Sequence, residues 1–137
     1  MKIKNQTRLE ISYQSYLVLK EIYGCNKEEF SFKARCLGQL VYNKFGKELV
    51  GFSQSSVLSN PKELTEDHFN NCQKVGEFLL QSPILSKQDF TNLILESRKT
   101  IKVTKKENSA LRKFQKTKPY GSGLEAYKEA GIEIVFS

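Results

Sequence analysis

The 137 residues include one histidine, His68, which directly follows Asp67 in the run Leu64-Thr65-Glu66-Asp67-His68. A neutral imidazole can take a proton from water near pH 7, and a carboxylate beside it is a hard oxygen ligand that can hold Mg2+ or Mn2+ against a phosphate. The same run also reads as the acid-rich first turn of a helix, a place the helix dipole favours for carboxylates. A second feature is electrostatic. From Arg98 to Lys118 stand nine basic residues (Arg98, Lys99, Lys102, Lys105, Lys106, Arg112, Lys113, Lys116, Lys118) and one acid, Glu107, a net of +8. The rest of the chain carries 13 basic and 14 acidic residues, a net of −1, so the overall +7 is local. Charge gathered in one short stretch reads as a surface patch that seeks a polyanion, and nucleic acid is the commonest one.

Other routes to chemistry are closed by residue type. Cys25, Cys36 and Cys72 are odd in number and contain no Cys-x-x-Cys pair, so neither a disulfide framework nor structural zinc is expected, and reduced buried thiols are. Gly121-Ser122-Gly123 lacks the Lys-Ser/Thr ending of a phosphate loop and reads as a turn, and no nucleophile elbow is present.

The elements that must position these residues follow from composition and periodicity. Hydrophobic residues at 39% and charged ones at 27% indicate a folded chain, and its length suits a single domain, 1–137. No stretch approaches the roughly 18 apolar residues of a membrane span, so no membrane partner is expected. The start Met1-Lys2-Ile3-Lys4-Asn5-Gln6 has no apolar signal core, and the cytoplasm is the expected location. Leu9, Ile11 and Tyr13 alternate like a short strand, followed by a helix stopped at Gly24. Phe30, Ala34, Leu37, Val41 and Phe45 form a helical stripe over 27–45. Residues 46–62 read as a loop with a short strand near Val50–Phe52, and Leu64 to Gln81 as a helix stopped by Pro83. Ser86 with Asp89 opens another helix. Thr100 to Thr104 alternates as a strand, and Thr104 with Glu107 forms a capping box for a helix to about Lys116. That helix is expected to turn Glu107, Ala110, Leu111 and Phe114 inward, and Lys105, Asn108, Arg112 and Lys116 to another face. A short helix over 124–130 and a strand over 132–136, pairing with the 100–104 strand, complete a helix-dominated α+β domain with a small sheet.

Asp67-His68, then Asn92-Leu93, then Ser97-Arg98-Lys99-Thr100-Ile101-Lys102-Val103-Thr104-Lys105-Lys106-Glu107-Asn108 resembles a divergent HNH (ββα-metal) nuclease. In that family an Asp-His opens the motif, an Asn-Leu follows, and a Cys-x-x-Cys-His segment leads into a helix. Here Ser97 and Thr100 stand in the cysteine places, and Ile101 in that of the second histidine. The resemblance spans 42 of 137 residues. It implies a metal-dependent DNA endonuclease in which His68 activates water, Asn92 orients that base, and Asp67 binds Mg2+ or Mn2+ with Asn108 as the second ligand.

Independently of that resemblance, Arg98, Lys99, Lys102, Lys105, Lys106, Arg112, Lys113 and Lys116 are expected to grip phosphates, of DNA ahead of RNA. Two further readings stay open: a non-catalytic DNA- or RNA-binding protein using this patch alone, and a basic inhibitor or interaction protein occupying an acidic groove of a protein partner.

Overall fold

The computed structural model describes residues 6–22, 26–42 and 45–137. In chain order its elements are helix α1 (Gln6–Glu21), α2 (Lys27–Tyr42), strand β1 (Glu48–Ser53), α3 (Gln54–Val57), a 3-10 turn (Pro61–Glu63), β2 (Leu64–His68), α4 (Cys72–Gln81), α5 (Lys87–Ser97), β3 (Lys99–Thr104), α6 (Lys105–Gln115), α7 (Gly123–Glu129) and β4 (Ile134–Phe136). The fold is helix-dominated α+β, as composition and periodicity predict. The chain forms two compact units, each built from two stretches: 1–46 with 72–98, and 47–71 with 99–137.

The first unit is helical. The strand expected over 9–13 is instead part of α1, because Leu9, Ser12 and Tyr16, at steps of three and four, are its buried positions. The stop expected at Gly24 lies outside the described residues. In α2 the stripe Ala34, Leu37 and Val41 is fully buried, and Phe45 is buried beyond the helix end. Gly38 and Gly76 let α2 and α4 meet backbone to backbone, with Gly38 against Cys72 and Gly76 against Ala34. The Lys20 ammonium donates to the Leu79 and Leu80 carbonyls, each at 2.8 Å, and to that of Ser82, closing the C-terminal end of α4. Ser86 caps α5 by accepting from the Asp89 amide, as its spacing predicts. Phe90 on that helix stacks on Tyr16 with ring centroids 5.0 Å apart.

The second unit is a four-stranded sheet in the order β2-β3-β1-β4. The expected pairing of β3 with β4 is corrected: β1 lies between them, parallel to β3 and antiparallel to β4. Only its middle was visible as a strand amid the loop signals of 46–62. Parallel neighbours require a long crossover, which the chain from 54 to 98 provides. Residues 54–57, expected as loop, form α3, capped by Ser53. The expected helix from Leu64 is also corrected. Leu64–His68 pair antiparallel with β3, and the helix begins only at Cys72. Pairing with a β-branched partner strand overrides the helical preference of an acidic turn. On one face of the sheet Ile101 and Val103 are buried with Leu111 of α6 and Ala126 and Tyr127 of α7. No helix among the described residues is long and apolar enough to cross a membrane.

Candidate nucleic-acid interface

Because side chains alternate along a strand, Asp67 and His68 leave opposite faces of β2. Asp67 lies across from Ile101 and shares its face, under α6 and α7, whereas Glu66 and His68 lie across from Lys102 and Thr100. Neither Asp67 nor His68 stands at an exposed helix start, as the sequence suggested; both are half-buried in the strand. Asp67 Oδ2 accepts from Gln115 Nε2 at 2.9 Å and from the Tyr127 hydroxyl. Burial pushes the Asp67 carboxyl above the usual range, and the bonds from Tyr127 and Gln115 and the charge of Arg112 pull it partly back. The Tyr127 hydroxyl is pushed far up, by burial first and then by the Asp67 charge. Burial and then the charge of Lys47 lower His68, with Glu66 acting the other way.

The expected metal pair is not brought together. It is Gln115 that α6 presents to Asp67, while Asn108 stands seven residues earlier, about 10 Å up the helix at 1.5 Å per residue. With Oδ2 already accepting two donors and no cluster of three metal-ligating side chains among the described residues, Asp67 and Asn108 do not fit a divalent cation as a shared site. Asn92 lies in the helical unit, on the exposed side of α5, where it accepts from Gln88 Nε2 at 3.1 Å. The Asp67 cluster instead joins β2, α6 and α7 through a half-buried acid. No sequence motif marks Gln115 or Tyr127, although Gln115, four residues after buried Leu111, is a polar residue on the buried side of α6.

A folded-state carboxyl raised above its unfolded value binds its proton more tightly in the native state, so stability falls as pH climbs from about 3.9 through the raised value. Urea midpoints measured from pH 4 to 7 are expected to show that decline in the native protein and a flatter curve in Asp67→Asn. Parallel curves would remove Asp67 as its source.

The basic segment resolves into distinct groups. Arg98 closes α5 in the helical unit, with Nε donating to the Gly46 carbonyl at 3.1 Å. Lys99 and Lys102 lie in β3, Lys102 on the sheet face opposite α6. Lys118 pairs with Glu129 at 2.5 Å. The other five, Lys105, Lys106, Arg112, Lys113 and Lys116, sit on α6 and its C-cap, and all five are exposed. At about 100° per residue they fall within an arc of about 120° centred on Ser109, opposite buried Leu111. Among the described residues none of the five forms an ion pair; Lys113 instead lies 5.1 Å from the centroid of the Phe114 ring.

The one acid of the segment is turned away from this arc. Glu107 accepts from the Thr104 amide at 2.9 Å, completing the capping box, and from the Ser53 hydroxyl at 2.6 Å at the end of β1. A capping bond of this kind contributes about 1 kcal/mol, so the interaction that starts α6 also removes the negative charge from its outer side. Of the expected inward stripe, Leu111 is buried, Glu107 and Phe114 are half-buried, Ala110 is exposed and Gln115 takes the remaining buried place.

The fold and this face define a helix-dominated α+β protein with one uniformly cationic helix surface. Comparison with protein-family models, with curated proteins and with solved structures finds no match to the chain.

Proposed function

We propose that the protein binds nucleic acid through the outer face of α6. The observation that carries this reading is the convergence of Lys105, Lys106, Arg112, Lys113 and Lys116 on one exposed arc while Glu107 is bonded on the inner side. A field of one sign raises the local concentration of a polyanion and releases its condensed counterions on contact. The proposal is for binding without cleavage. The acid and the imidazole that an HNH-like mechanism would bring to one phosphate leave opposite faces of β2.

The test is a titration of the full chain against a labelled 20-base-pair DNA at several salt concentrations, with plasmid incubated in Mg2+ or Mn2+ as a second arm. Five phosphate contacts predict a log–log salt slope of about −4.5, or about a 500-fold loss of affinity between 50 and 200 mM salt. Binding that ignores salt, or no binding, overturns the proposal. In the plasmid arm the native protein and His68→Ala are expected to leave the DNA equally intact; nicking that His68→Ala abolishes would overturn the non-catalytic part.

A further inference from the structure

The composition and length of the α6 face bear on what kind of nucleic acid it takes. The arc contains four lysines, Arg112 and Ser109, and no aromatic residue. The aromatic of this helix, Phe114, is half-buried on the inner side, and the amides Asn108 and Gln115, the side-chain types that pair with adenine, are half-buried and buried away from the arc. Binding of single strands draws on bases stacked on aromatic side chains, about 1–3 kcal/mol per base, and this face has no such platform. Sequence readout needs planar groups held against base edges, and on this arc Arg112 alone carries one, whereas the four lysines are flexible point charges suited to phosphate.

The length also matches a duplex. From Lys105 to Lys116 the helix rises about 16 Å, and a strand of duplex DNA presents one charge per about 3.4 Å of axis, so the face laid along the duplex meets about five phosphates of one strand. Five cations are available there. From this match we infer that α6 docks on the phosphate backbone of double-stranded nucleic acid and does not read its bases. The inference rests on the proposed binding function and specifies its substrate class.

The test uses the full chain and anisotropy titrations with four probes: two 20-base-pair DNA duplexes of unrelated sequence, a 20-nucleotide single strand, and a duplex RNA. The two DNA duplexes are expected to bind within about threefold of each other. The single strand is expected to bind about tenfold more weakly at 0.1 M salt, because its slope of about −3.5 for five contacts is one unit shallower than that of the duplex. The RNA arm identifies the source of the backbone: equal affinity for the two duplexes means that charge spacing alone is recognised, and a preference for either means that its groove geometry contributes. A single strand bound as tightly as duplex, or a tenfold preference between the two DNA sequences, overturns the inference while leaving nucleic-acid binding intact. Absence of binding to every probe overturns both.

Discussion

Gly76→Ala is expected to destabilise the protein by about 3 kcal/mol or more and to lower its melting temperature by roughly 10 °C. At an exposed helix position the same change would add about 1 kcal/mol of stability through helix propensity. Here the sign reverses, because a Cβ on Gly76 would fall inside the contact radius of the Ala34 carbonyl oxygen and also meet the Ala34 carbonyl carbon and Cα. These are backbone atoms of α2, so no rotamer change relieves the overlap; the helices must separate. Separation would in turn loosen Leu37, Val41, Val75 and Leu79, all fully buried in this unit. Gly38→Ala meets the Cys72 carbonyl in the same way and is expected to act in the same direction. Gly131→Ala provides the contrast. Its φ of 73° penalises a side chain, but nothing lies within 4 Å of the added carbon, so the cost is confined to about 1–2 kcal/mol. Urea unfolding of the three variants with unchanged slopes would measure this ranking. A Gly76→Ala protein as stable as the native one would show that α2 and α4 do not cross in backbone contact.

How far the fold can be read from the chain depends on where the deciding contacts lie. Local signals were sufficient for α2, α5 and α6, since the stripe from Ala34 to Val41, the Ser86 cap and the Thr104–Glu107 box all act within a few residues. They misled at β2, where Thr65, Glu66 and Asp67 resemble a helix start and only pairing with Lys99–Thr104, more than thirty residues on, makes them a strand. The strand order was hidden for the same reason. The parallel partner of β3 is residues 48–53, in a stretch punctuated by glycine and serine. At the candidate site, the adjacency of Asp67 and His68 suggested joint chemistry only so long as the strand's alternation was unseen. By contrast, the helical spacing of Lys105, Arg112 and Lys116 places them on one face, which Lys106 and Lys113 join, whereas Asn108, expected with them, is half-buried beside the arc. Lys102 and Lys118 are their neighbours in sequence, yet one leaves the other side of the sheet and the other is paired with Glu129.

Replacing Lys105, Arg112 and Lys116 together by alanine is expected to remove most nucleic-acid affinity without unfolding the protein. The three residues are exposed and alanine is a strong helix former, so α6 keeps its Thr104–Glu107 cap and its buried Leu111 and Gln115. Unchanged far-ultraviolet circular dichroism and melting would establish that. With Lys106 and Lys113 left on the arc, the salt slope on duplex DNA should shrink from about −4.5 to about −1.8, and the loss of affinity between 50 and 200 mM salt from about 500-fold to about 12-fold. At 0.1 M salt the same difference in slope, 2.7 units, corresponds to about 500-fold weaker binding. Lys102→Ala is the matched control: it removes one charge from the same segment of sequence but from the face opposite α6, and is expected to leave the slope unchanged. Equal losses from Lys102→Ala and from any one of the three would mean that the segment acts as diffuse charge, with no defined face. A triple variant that binds DNA like the native protein would place the binding surface elsewhere and leave the α6 arc for an acidic protein partner.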